Sequence, residues 1–199
     1  MAFKKDKLKK QIVSFAEKGV KKFLKENPDL EFYAFAFDCN AEYAEINLCF
    51  NTEKDFQKTL KHYQDGEFSE SYQSEADINE LKFNTGDWEY QCFETLHVLN
   101  DKELDKISQQ MPNDDDETWN EFVNELLELF TESVIDFTKT ETFSKIPKTE
   151  GFIAFCIDHD EDVDTAMERL EKYRQNTFRS REFTIRSLFE KIKDTICRK

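Results

Sequence analysis

The sequence has few residues that permit sharp backbone turns and no long apolar stretch. It contains only 4 Gly and 3 Pro in 199 residues, together with 20 Phe. Many aromatic side chains with few flexible positions indicate a packed globule that is rich in helices and strands. Since no apolar run reaches the roughly 18 residues that cross a bilayer, we expect no transmembrane segment. The basic residues at the start precede an amphipathic stretch, so we also expect no signal peptide.

The sequence also lacks the short motifs that mark common catalytic and cofactor sites. It has no Gly-rich phosphate loop, no closely spaced pair of cysteines for a metal and no recognisable nucleophile signature. The three histidines belong to no local catalytic pattern. We therefore predict that the protein is not an enzyme and needs no cofactor. The five cysteines are odd in number and widely spaced, which favours free thiols and a cytoplasmic location. They are Cys39, Cys49, Cys92, Cys156 and Cys197.

Acidic residues are in clear excess, with 43 Asp and Glu against 28 Lys and Arg and a formal net charge of −15. Residues 1–25 contain nine lysines and two acids, so the rest of the chain carries −22. An acidic body repels nucleic acid and anionic lipid, and it attracts basic partners. We therefore expect a basic protein as partner, with no nucleic acid and no membrane.

The pattern of apolar residues predicts an α+β fold. Strands are predicted near residues 31–38, 43–50 and 151–158, and they form a small, mostly antiparallel sheet. Only one of these strands follows the acidic break near residue 114, and it needs neighbours from the first half. We therefore predict a single domain over residues 1–199. Several amphipathic helices pack on the sheet. The first has an apolar stripe from Leu8 to Phe23 and ends at Asn27-Pro28. The other helical stretches are predicted near 52–63, 75–81, 87–110 (as helical segments), 118–137, 162–175 and 181–197.

The predicted helix at 87–110 places six residues on its inner face, and they are Trp88, Cys92, Leu96, Leu99, Leu104 and Ile107. His97 lies on or near that apolar stripe. On a helix, the side chains of Cys92 and His97 diverge by about 140°. This arrangement argues against a Cys–His catalytic pair.

One acidic stretch has the spacing of a calcium-binding loop. Counted from Asp160, acids occupy positions 1, 3, 5, 9 and 12, and they are Asp160, Asp162, Asp164, Glu168 and Glu171. Position 6 is Thr165, where such a loop requires Gly. Acids also collect at helix N-termini, where they satisfy free amides. Two interpretations are therefore open: a cation site with Asp160, Asp162, Asp164 and Glu171 as candidate ligands, or a helix cap.

Three segments together resemble a bacterial family. They are Phe32 to Asp38 with the strand after it, Leu81 to Tyr90, and the late strand that runs into Asp158. In these segments the chain resembles the domain-of-unknown-function family DUF4303. The resemblance implies a bacterial, cytoplasmic α+β domain and carries no catalytic residues. Trp88 and Tyr90 are candidates for partner binding if exposed, whereas the alternative is a buried corner of the core.

The leading hypothesis is a non-enzymatic, protein-binding domain that neutralises a toxin, by analogy with immunity proteins. The alternative is a hydrolase or a small-ligand-binding enzyme that uses carboxylates or a divalent metal. A third hypothesis is an architectural domain within a homo-oligomer.

Overall fold

The computed structural model describes residues 4–65, 70–109 and 116–175. The predicted helix at 181–197, the acidic break near residue 114 and Cys197 lie outside the described residues. Within the described ranges, no helix has both the length and the apolar character needed to cross a membrane.

Seven helices and four strands make up the described fold. The strands are β1 (Phe32–Asn40), β2 (Glu45–Asn51), β3 (Tyr90–His97) and β4 (Lys148–Asp158). The helices are α1 (Lys5–Glu26), α2 (Glu53–Asp65), α3 (Glu75–Phe83), α4 (Asp101–Ser108), α5 (Asp116–Phe137), α6 (Glu141–Ser144) and α7 (163–175). Short 3₁₀ turns cover Ala41–Tyr43 and Thr85–Asp87. This architecture confirms the predicted α+β class and the three predicted strands.

The sheet has the strand order β3-β2-β1-β4. β1 pairs antiparallel with β2, and β2 pairs antiparallel with β3. β4 runs parallel to β1, so the sheet is mixed, with two antiparallel pairings and one parallel pairing. The strand beyond residue 114 therefore belongs to the same sheet as the strands of the first half.

The sequence predicts helical segments from residue 87 to about residue 110. The prediction is wrong for Tyr90–His97, which form β3, and it is confirmed for Asp101–Ser108, which form α4. The apolar spacing that suggested helix combines residues of a strand with residues of a later helix. Asn100 separates the two elements and forms a capping box with Glu103 at the start of α4. Pairing with β2 overrides the local pattern and leaves Cys92 exposed.

One face of the sheet packs against α1 and α5 through fully buried aromatic rings. Phe35 contacts Phe50 at 4.9 Å between ring centroids and Phe137 of α5 at 5.2 Å. α1 approaches β2 closely at Gly19, where an added Cβ would lie 2.7 Å from Leu48 Cδ1. We call this side of the sheet, which lies under α1 and α5, the helix-covered face. Its rings, such as Phe35 and Phe50, are fully buried.

Two lysines of α1 form close ion pairs within this layer. Lys9 Nζ lies 3.0 Å from Glu132 and 2.9 Å from Asp136, both on α5. Lys22 Nζ lies 2.6 Å from Glu94 of β3. The positive N-terminal helix thus pairs with acids of the same chain.

The opposite face of the sheet is covered by α2, α3 and the turn that follows α3. Side chains alternate between the two faces of a strand, and Ala36 is opposite Phe155, so Phe155 points away from Phe35 and Phe37. Phe155 contacts Trp88 at 5.9 Å between ring centroids. Aromatic packing therefore continues on this second face.

Candidate functional site

The acidic stretch after β4 builds a helix cap. Asp162 Oδ1 accepts a hydrogen bond from the backbone N–H of Thr165 at 2.8 Å, and its Oδ2 accepts one from the Thr165 hydroxyl at 2.9 Å. Asp164 lies within α7, and Glu171 accepts a hydrogen bond from Gln175. Within the described residues, the carboxylates of Asp160, Asp162, Asp164 and Glu171 form no cluster of ligand atoms close enough to share an ion. The geometry matches the capping interpretation.

Arg169, which sequence reasoning did not single out, organises the end of β4. Its guanidinium pairs with Glu161 and also donates to the carbonyl of Cys156 at 3.0 Å and to the hydroxyl of Thr131 at 2.9 Å. The Glu161 carboxylate in turn accepts the backbone N–H of Asp158. These partners occupy the guanidinium, so its role is to join α5, β4 and α7.

Trp88 and Tyr90 do not form an exposed pair. Trp88 is only 3% exposed, and its indole N–H donates to the carbonyl of Lys82 at 3.0 Å. Tyr90 is half-buried and packs on Phe23 of α1, on the helix-covered face. The hypothesis that Trp88 contacts a partner is corrected, because burial places the indole in the core of the second face.

Burial of Trp88 fixes an acidic stretch of chain over the second face. We call residues 70–89 the acidic segment. It holds six carboxylates and one lysine, and five of the carboxylates are exposed: Glu70, Glu75, Asp77, Glu80 and Glu89. The single lysine, Lys82, pairs with Glu53 and stacks over the Tyr33 ring at 4.7 Å. Outside the segment, Lys58 Nζ of α2 lies 3.9 Å from Glu89. The segment therefore presents a surface with a clear excess of negative charge.

Several hydrogen bonds anchor this segment to the protein. The carbonyl of Lys82 accepts a second hydrogen bond from the Tyr33 hydroxyl at 2.5 Å. The Tyr63 hydroxyl donates to Asp87 Oδ1 at 2.7 Å, and this bond together with burial raises the pKa of Tyr63 to about 12. Ser74 caps the N-terminus of α3 by accepting the backbone N–H of Asp77. The negative charges are thus held on an ordered surface.

A second group of polar side chains lies on the same face, next to a bulge in β3. We call Asp38, Cys49 and Cys92 the thiol cluster. One carboxylate oxygen and the two sulfurs all lie within 4.8 Å of one another. Cys49 and Asp38 share a face because Cys49 pairs with Ala36, two residues before Asp38. The backbone N–H of Cys92 donates to Cys49 Sγ at 3.3 Å.

The surroundings of the cluster shift the pKa values of its groups. Burial raises the pKa of Asp38, although His159 and a hydrogen bond from Thr85 oppose the rise. A hydrogen bond with Cys49 lowers the pKa of Cys92, and the same interaction and burial raise that of Cys49. Of the two thiols, the exposed one of Cys92 therefore has the lower pKa.

Sequence reasoning missed this cluster for a physical reason. Its members are separated by 11 and 43 positions, so no local spacing joins them. Placing Cys92 on a helix also removed it from the sheet. The alternation of side chains along β1 and β2 could have predicted that Asp38 and Cys49 lie on one face of the sheet. The position of Cys92 could not be predicted in this way, because it depends on the bulge in β3.

The histidines do not complete a catalytic pair with a thiol in the described structure. His97 is exposed, and its Nδ1 lies 3.6 Å from Glu45. The His62 ring packs against Tyr63 at the edge of a shallow groove of about 460 Å³. His159 is exposed beside Asp38.

The chain was compared with models of known families. A family model described as Domain of unknown function (DUF4303) matches residues 12–174. Searches of curated proteins and of solved structures find no match.

Proposed function

The chain belongs to the DUF4303 family, and from that premise we propose that it is a non-enzymatic domain of the bacterial cytoplasm that binds a basic protein. The partner class that fits best is a cationic toxin, which the domain neutralises as an immunity protein does. The acidic segment is the binding surface.

The observation that supports this proposal is the excess of negative charge on residues 70–89, which hold six carboxylates and one lysine. Of the exposed carboxylates, Glu89 lies 3.9 Å from Lys58 Nζ, a loose contact between two exposed side chains. Glu75, Glu80 and Glu89 are exposed, and they surround a stretch of chain that Trp88 and Tyr33 hold in place. A fixed set of like charges steers a complementary partner and raises its association rate. Two lysines of α1, Lys9 and Lys22, are paired with acids outside this segment.

A matched pair of triple variants tests the proposal. Glu75→Gln, Glu80→Gln and Glu89→Gln remove three charges from the acidic segment and keep side-chain size. The control removes three exposed charges elsewhere, with Glu117→Gln, Glu121→Gln and Glu168→Gln. Both variants have the same net charge, so any difference between them reports position.

The tagged wild type is first used at low salt to isolate a specific basic partner from the native host, and affinities are then measured with that purified partner. We expect the first triple variant to bind about tenfold more weakly, a loss of about 1.4 kcal/mol, and the control to bind almost as well as wild type. Raising salt should reduce the difference. Equal affinities for the two variants, or recovery of no specific basic protein, would refute the proposal.

A further inference from the structure

We propose that Asp38, Cys49 and Cys92 bind a thiophilic divalent cation, with zinc(II) as the preferred ion and a fourth coordination position open to solvent. This site is separate from the acidic segment, and the inference does not depend on the protein partner.

The spacing of the three ligand atoms fits one ion. Zinc binds thiolate sulfur at about 2.3 Å and carboxylate oxygen at about 2.0–2.2 Å in a tetrahedral arrangement. Those lengths place two sulfurs about 3.8 Å apart and a sulfur and an oxygen about 3.5 Å apart. In the structure all three atoms lie within 4.8 Å of one another. The separations are therefore compatible with three ligands of one shared ion.

The backbone of β3 is bent in the way that this site requires. Leu48 pairs with Glu94 and Phe50 pairs with Tyr90, so three residues of β3 lie opposite Cys49 alone. Such a bulge redirects a side chain. Cys92, at its centre, has a φ of 45°, in the left-handed region that glycine adopts at lower cost. Strained positions of this kind cluster at functional sites.

The surroundings of the ligands suit a metal site with access to solvent. Cys92 is exposed, which gives an ion an entry path, whereas Cys49 is buried behind it. Thr85 is buried and donates a hydrogen bond to Asp38. Outer partners of this type orient a ligating carboxylate. Because one side of the cluster faces water, a solvent molecule can complete a four-coordinate ion.

The donor set selects the type of cation. Two sulfurs disfavour calcium and magnesium, which bind oxygen ligands, and soft thiolates favour zinc among common divalent ions. The other thiol pair offers a comparison, since Cys39 Sγ and Cys156 Sγ lie 3.5 Å apart on the helix-covered face. Within the described residues that pair forms no cluster with a third ligand, and both thiols are buried.

Cobalt(II) is a spectroscopic probe that replaces zinc at thiolate sites. The full-length, fully reduced protein is titrated with cobalt(II) under anaerobic conditions, and zinc(II) is then added. We expect one cobalt per chain, with a sulfur-to-cobalt charge-transfer band that disappears when zinc displaces the ion. Absence of the band at millimolar cobalt would overturn the proposal.

Three variants locate the ion. Cys92→Ser and Asp38→Asn remove one ligand each, and we expect each to bind zinc at least about tenfold more weakly in competition with a chromophoric chelator. Cys92→Ser should also lose part of the charge-transfer intensity. Cys156→Ser is the control, with unchanged stoichiometry and spectrum. Circular dichroism and urea unfolding establish that each variant is folded. Wild-type zinc affinity in both ligand variants, or an equal loss in Cys156→Ser, would contradict the site.

Discussion

The two faces of the sheet differ in whether their polar groups are paired and buried or accessible to solvent. Under α1 and α5, the sheet contributes rings such as Phe35 and Phe50, and the nearby lysines are paired with acids. On the second face, Trp88 packs against Tyr33 and Phe155, and the thiol cluster and the acidic segment lie on that same face. The first face therefore carries much of the stability, and the second leaves charged and nucleophilic groups accessible to other molecules.

The two cysteine pairs show the same difference. Cys39 and Cys156 lie in the core on the helix-covered face, where burial raises the pKa of Cys39 well above its usual value. Cys49 and Cys92 lie beside a carboxylate, and one of the two is exposed. Identical side chains on neighbouring strands thus have different chemistry because of what covers them.

The strongest test of this comparison is Phe35→Ala on the helix-covered face. Phe35 is fully buried and contacts three other rings, so its removal leaves a cavity that rigid neighbours cannot fill. We expect the free energy of unfolding to fall by about 3–5 kcal/mol, measured by urea denaturation.

Tyr43→Ala is the control for this loss, because Tyr43 is 61% exposed. We expect it to change the free energy of unfolding by no more than about 0.5 kcal/mol. If the two variants lost similar stability, the helix-covered face would not hold the main core.

Strong periodicity made much of the fold predictable from the sequence. The stripe of α1 and the alternation of β2 each point to one buried face, and both elements lie where they were predicted. β3 could not be predicted in the same way, since it is an edge strand with several exposed residues and a bulge. Its structure depends on pairing with β2, which no local pattern contains.

The candidate sites were less predictable than the fold. The acid-rich stretch after β4 could be recognised as a candidate because its acids are close together in the sequence. In the structure Asp162 caps α7 there. The thiol cluster instead joins three strands, and Cys92 reaches it only through the bulge. For Trp88 the sequence leaves two interpretations open, an exposed partner contact or a buried corner of the core, and the structure shows the buried one.

A medium effect is expected for Trp88→Phe on the second face. The substitution keeps an aromatic ring and removes the N–H that donates to the carbonyl of Lys82. We expect a loss of about 1–3 kcal/mol in the free energy of unfolding, because the smaller ring leaves part of a buried site empty and one hydrogen bond is lost, although the Lys82 carbonyl keeps its bond from Tyr33. Amide hydrogen exchange should also quicken in α3, because Trp88 anchors the acidic segment to the sheet.

Trp119→Phe is the matched control, since Trp119 is half-buried on α5, away from the second face. We expect no faster exchange in α3 for this variant. Unchanged exchange in α3 of Trp88→Phe would show that the segment is held by other contacts.

The smallest effect is expected for the paired charges of the helix-covered side. Burial alone would raise the pKa of Asp136, but hydrogen bonds from Lys139 and Lys9 outweigh it and lower that pKa. A carboxylate whose pKa is lower in the folded state stabilises the fold above its unfolded pKa of about 3.9, and this contribution is lost as the pH falls further. Asp136→Asn should therefore cost up to about 1 kcal/mol near neutral pH, since the side chain is partly exposed.

The free energy of unfolding of Asp136→Asn and of wild type is measured by urea denaturation at several pH values. The difference between the two should be constant from about pH 5 to 8 and shrink below about pH 4. Glu80→Gln is the comparison from the acidic segment, where neighbouring carboxylates repel one another. Because that substitution relieves repulsion, we expect it to leave stability unchanged or slightly higher at neutral pH. If Glu80→Gln lowered the free energy of unfolding as much as Asp136→Asn does, the charges of the two faces would be equally compensated. The acidic segment would then lack the free charge that a basic partner requires.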